Sequence, residues 1–106
     1  MKITNLSKYI RGWIVGDFEP SVIKTGDFEV GIKEYKKGDY EKSHVHKIAK
    51  EITVVVCGRF MMNDVILEKG DMVCLEPNEA GEFSCLEDGS ITVVKKPSAP
   101  SDKYII

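Results

Sequence analysis

From residue 27 onward the chain alternates between apolar and polar residues in short runs. Phe28, Val30 and Ile32 alternate with Glu29, Gly31 and Lys33, a period of two that predicts a half-buried strand ending at the turn Lys36-Lys37-Gly38-Asp39. Ile52-Thr53-Val54-Val55-Val56-Cys57 is too β-branched for a helix and has the length of a buried strand. Glu51, Thr53, Val55 and Cys57 share one face of it and Ile52, Val54 and Val56 the other, so both faces need cover. Arg59-Phe60-Met61-Met62 and Val65-Ile66-Leu67 flank Asn63-Asp64, which is hairpin-turn chemistry. Glu68-Lys69-Gly70-Asp71 reads as a further turn and Met72-Val73-Cys74-Leu75 as a further strand. Residues 82–86 and 90–95 are expected to pair with each other across Glu87-Asp88-Gly89. Strands arriving every eight to twelve residues or so predict an all-β sandwich or barrel.

The flanks are less regular. Residues 1–26 hold short apolar pieces punctuated by Gly12, Gly16 and Pro20, with no apolar stripe at helical spacing, and read as short strands and loops over the main sheet. Trp13 is expected in the core, with a stacking role beside a ligand as second choice. The tail, residues 97–106, carries Pro97 and Pro100 and ends in Tyr104-Ile105-Ile106, a candidate edge strand.

Composition narrows the class. With 106 residues the chain has the size of one domain, and 42% hydrophobic and 30% charged residues at a net charge of -2 describe an ordinary globular protein. No basic patch interleaved with aromatics suggests nucleic acid, and no apolar run suggests a membrane span or a leader, so the expected location is cytoplasmic. Cys57, Cys74 and Cys85 are odd in number and lack CxxC spacing; they are expected to be reduced and mostly in the core.

The candidate chemistry lies between Gly38 and Gly58. His44 and His46 are two apart in an extended segment, which puts both imidazoles on one face, and a short turn through Lys47-Ile48-Ala49-Lys50 could fold Glu51 back beside them. Two neutral imidazoles and a carboxylate suit a divalent ion such as Zn, Fe, Mn or Ni, with positions left for water or substrate. The plain alternative is a surface strand with two solvated histidines. Gly38, five residues, His44, one residue, His46, four residues, Glu51, six residues and Gly58 match every named position of the first cupin motif. The chain thus resembles the cupin superfamily over roughly residues 28–96, with residues 1–26 and 97–106 flanking that core. The resemblance implies a single antiparallel jelly-roll barrel spanning 1–106, a pocket walled by His44, His46 and Glu51, and a homodimer packed through a sheet face such as that of Ile52, Val54 and Val56.

The second cupin motif fits in register but not in residues. Laid on Gly70, it puts the histidine that usually completes the metal site at Gly81. Cys85 is about 13 Å further along the strand, Glu82 should face away, and Glu79 could bend in from a loop; water is the simplest occupant of that position. Three functions stay open because the fold licenses none of them. The first is a small metal-binding cupin holding a divalent ion and a small polar ligand. The second is a metal-free protein similar to the sugar-nucleotide isomerase and epimerase cupins, although Arg11 and Arg59 are the only arginines and neither lies within the motif. The third is a non-catalytic ligand-binding module. Catalytic residues are not assigned.

Overall fold

The alternating segments form nine strands in the computed structural model, which describes residues 1–106. In chain order they are β1 (Trp13–Gly16), β2 (Ile23–Lys24), β3 (Glu29–Tyr35), β4 (Tyr40–Val45), β5 (Lys50–Met62), β6 (Val65–Leu67), β7 (Met72–Leu75), β8 (Gly81–Lys96) and β9 (Tyr104–Ile105). Two single 3-10 turns, Leu6–Lys8 and Ile10–Gly12, precede β1. No helix is long and apolar enough to cross a membrane.

The strands wrap as an antiparallel jelly roll. β5 and β8 are its spine and pair from Lys50 opposite Lys96 to Met62 opposite Phe83. The other edge of β8 is divided: β3 takes the second half, with Glu29 opposite Lys95 and Tyr35 opposite Gly89, and β4 takes the first, with Tyr40 opposite Ser84. The other edge of β5 is divided in the same way between β7 and β6. β1 extends β3, β2 runs parallel to β1, and β9 caps the free edge of β4, so the tail does return as an edge strand.

Both spine strands bend at one crossing. The β5–β8 register shifts between Val55 and Cys57 and again between Cys57 and Arg59, as bulges do. Gly58 has φ +84, a region that side-chain-bearing residues rarely adopt. A Cβ on Gly58 would lie 2.6 Å from the Asp88 carbonyl oxygen, and one on Gly89 would lie 2.1 Å from that of Cys57. This crossing corrects the expected hairpin of residues 82–86 and 90–95. Both belong to the single strand β8, which runs through Glu87-Asp88-Gly89 because β5 supplies partners on either side. The turn-like residues there mark a bend rather than a reversal. Asn63 (φ 49) and Asp64 (φ 66), by contrast, reverse the chain between β5 and β6 as expected.

The core is Val55, Phe60, Met62, Leu67, Phe83, Cys85, Ile91 and Val93. Phe60 and Phe83 stack with ring centroids 5.0 Å apart, and Tyr35 meets both edge-on. All three cysteines are free thiols, but only Cys85 is buried; Cys57 and Cys74 are exposed. The expected burial fails at Cys57 because the bulge after Val55 turns it off the inward face. It fails at Cys74 because that residue pairs with the outward Ile52.

Candidate functional site

Register places the site. On β3, β8 and β5 the inward face runs in rows: Glu29, Lys95 and Glu51 side by side, then Gly31, Val93 and Thr53, then Lys33, Ile91 and Val55. The polar positions of β3 are therefore the inward ones, and Glu29 is only 4% exposed while Phe28 lies on the surface. Across the barrel stands β4 with His44, followed by His46. Between these walls lies a cavity of about 220 Å³, floored by the core residues Met62, Phe83, Ile91 and Val93.

His44, His46 and Glu51 all line this cavity. The two imidazoles meet edge-on at 5.2 Å between centroids, and His46 Nε2 lies 3.8 Å from Glu51 Oε1. Carbonyl oxygens can only accept, so each histidine donates its Nδ1–H, that of His44 to the Lys42 carbonyl at 2.9 Å and that of His46 to the Asp102 carbonyl. In a neutral ring so held, Nε2 carries the lone pair. That of His46 is buried and has no hydrogen-bond partner. Burial, reinforced by the Lys95 charge, lowers the His46 pKa and favours the neutral ring. The donor chemistry thus fits a divalent ion, although as the side chains are placed no three His, Cys, Asp or Glu groups converge into a cluster that would enclose one.

The C-terminal segment builds the other half of the histidine's support. The Asp102 carboxylate is buried and accepts the backbone N–H groups of Lys47, Ile48 and Ala49 at 2.8, 2.9 and 2.9 Å. Burial works to raise this carboxyl, but the Ala49, Ile48 and Lys47 N–H groups outweigh it and hold its pKa below the ordinary value. The turn that brings Glu51 back beside His46 is therefore organised by a residue 53 to 56 positions away. No local pattern around Asp102 announces this.

Gly81 stands opposite His44 in the β4–β8 register, is buried and lines the cavity. A Cβ there would meet only Leu75 Cδ1, at 3.1 Å. None of its neighbours takes over the position. Glu79 accepts the Glu76 N–H, Glu82 accepts the Tyr40 hydroxyl, and the Cys85 thiol donates to the Glu87 carbonyl.

Several cavity residues have no place in the histidine motif. Tyr35 donates its hydroxyl to Glu41 Oε1 at 3.0 Å, and burial together with Glu41 raises its pKa. Glu29 accepts the Ser98 hydroxyl at 3.0 Å and pairs with Lys95 at 3.9 Å. Trp13, expected in the core, packs half-buried against it and also forms a cavity wall, so close to Gly31 that a Cβ there would lie 2.7 Å from the indole. The Lys33 and Lys95 ammonium groups stand 4.5 and 4.8 Å from its ring centroid. For Glu29 and Lys33 the signal was present in the sequence, in the polar phase of the β3 alternation; Trp13 and Lys95 lie on β1 and β8, outside that pattern.

No protein-family model matches the chain, and no curated protein matches it in sequence. Solved structures do. The chain is similar to a double-stranded β-helix protein of Klebsiella pneumoniae, at TM-score 0.71 and 20% identity over 98% of this chain and 90% of that one. It is also similar to KdgF from Halomonas sp., at TM-score 0.65 and 21% identity over 72% and 74% of the two chains. A third likeness is the DMSP lyase DddQ from Ruegeria pomeroyi, at TM-score 0.69 and 16% identity, where 88% of this chain spans about half (49%) of the other. Identities this low speak to fold alone, and the fold is that of the cupins, a jelly-roll barrel of the double-stranded β-helix kind.

Proposed function

We propose that the barrel interior holds a divalent first-row ion together with a small polar ligand, through His44, His46 and Glu51. The observation that carries this reading is the buried, unpartnered Nε2 of His46, 3.8 Å from Glu51 and oriented by a carbonyl on its far nitrogen. A bound ion would supply Lewis-acid polarisation of a ligand oxygen. Of the chain's own residues, burial and Lys95 favour the neutral His46 ring, the Lys42 and Asp102 carbonyls engage the Nδ1 atoms of His44 and His46, and Gly81 leaves its side open. Zinc titration calorimetry on tag-free protein tests this. Saturable binding is expected, with loss in the His44→Ala, His46→Ala double variant. Gly81→His should tighten binding about tenfold, because a tethered imidazole replaces an exchangeable water. No zinc uptake by either the parent or a folded Gly81→His variant would overturn the reading.

A second reading follows from the lack of a converged three-donor cluster. In it the cavity is metal-free, and His46 with Glu51 acts as an acid/base pair or simply as part of a binding wall. The same titration separates the two.

The working unit in either case is a homodimer. Cys74, Ile52, Val94 and Val30 lie in one outward row across β7, β5, β8 and β3, next to the row of Met72, Val54, Thr92 and Ile32. Ile52, Val56 and Met72 on this face are 38%, 46% and 70% exposed, which supports a second copy as cover. Light scattering that gives a monomer mass at about 50 µM would count against it.

A further inference from the structure

The cavity has a second pole that the histidine motif does not use. Arg11, Lys33, Lys95 and Lys103 line it against only Glu29, Glu41 and Glu51, so with neutral imidazoles the wall carries an excess of positive charge. Lys95 is held between Glu29 and Glu51 in one row. Lys33 is different: its ammonium takes part in none of the chain's ion pairs and rests on the Trp13 face. A partly desolvated cation with no carboxylate at ion-pair distance, felt only from further off by Glu41, favours an anion beside it.

We infer that Lys33 and Lys95, set on the face of Trp13, form a carboxylate subsite, and that the ligand of this barrel is a small organic acid whose anionic end docks there. Its other end reaches toward the histidines. The inference rests on the reading of the barrel interior as a ligand pocket and names the class of ligand, but it does not depend on a metal. A cavity of 220 Å³ holds on the order of seven waters, which suits an acid of about that many non-hydrogen atoms. Arginine in the same place would grip a carboxylate in a fixed fork; two lysines accept a range of orientations.

Trp13 is the only tryptophan, so its fluorescence reports on this wall directly. The probe is malonate, titrated into protein stripped with EDTA at constant ionic strength, with the uncharged, equally sized malonamide as control. Malonate is expected to change the emission saturably and malonamide to leave it unaltered. Lys33→Met, whose aliphatic chain can still cover the indole, should weaken malonate about tenfold or more, as loss of a close charge pair does. Far-UV circular dichroism checks that the variant is folded, and Lys33→Arg, which keeps the charge, should recover most of the affinity. Equal response to malonamide, no response to malonate, or parental affinity in folded Lys33→Met would each overturn the inference. Malonate binding without zinc uptake would remove the metal reading and leave this one standing. Zinc uptake without malonate binding would do the reverse.

Discussion

Phe60, Phe83 and Tyr35 at one end of the barrel, and Glu29, Lys95 and Glu51 at the other, are carried by the same few strands with the same inward alternation. The first end is close-packed: Phe60 is fully buried and its ring stacks on Phe83, so its stabilisation comes from apolar area removed from water. The second end buries charge: Glu29 is held by Ser98 and Lys95, while Glu51 lies 3.8 Å from His46 Nε2 with no hydrogen bond between them. Replacing such an ion row with aliphatic residues is often neutral or stabilising in proteins. Charge at the open end is therefore poorly explained by what holds the fold together, which supports the ligand site proposed above.

The largest effect should come from Phe60→Ala, which empties the closed end. A loss of about 3–5 kcal/mol in urea unfolding is expected, with malonate and zinc affinities of the remaining folded protein near parental values. A loss below about 1 kcal/mol would place the stabilising core elsewhere.

Asp102→Ala probes the link between the C-terminal segment and the 47–49 turn. It strands three N–H groups on the turn after His46, and a loss of about 1–3 kcal/mol is expected. Asn in the same place keeps one acceptor oxygen and should lose less. Imidazole nitrogen NMR of the alanine variant should show His46 no longer fixed with its proton on Nδ1. An unchanged spectrum would mean that the backbone carbonyl alone orients the ring.

The smallest effect is a pH dependence confined to the open end. Burial in the first place, with help from Arg11, Lys95 and Lys103 and against the pull of Glu41, lowers the Lys33 pKa to about 8. Between that value and the 10.5 of the unfolded chain, the unfolded state holds a proton that the folded state has released, so this group's contribution to stability rises with pH across the window. Malonate affinity should move the opposite way, falling as pH rises through about 8, because the neutral amine no longer attracts the anion. Both slopes should vanish in Lys33→Met; a slope that persists belongs to another group.

Much of this molecule could be read from its sequence. The spacing from Gly38 to Gly58, the Asn63-Asp64 reversal and the edge position of the tail depend on local chemistry, and the structure has them where the pattern puts them. What escaped depends on distant partners. Residues 87–89 look like a turn until β5 is seen to pair on both sides of them. Cys57 and Cys74 look apolar and inward until the bulge and the cross-strand register are known. Asp102 is an unremarkable acid near the end of the chain, and its role exists only because the 47–49 turn presents three N–H groups to it. The polar phase of β3 was visible, but alternation alone does not say which phase faces a cavity.

The crossing of Gly58 and Gly89 bears on how this scaffold can diverge. The two longest strands touch there backbone to backbone, and a methyl group on either would meet a carbonyl oxygen of the other. Neither position can compensate for a change at the other, since each needs the space its neighbour leaves. The sheet ends, by contrast, meet through side chains that can be exchanged in pairs. Sequences drifting from this one are thus free to redraw the cavity wall by wall, while the bend that sets where those walls stand stays pinned by two missing side chains.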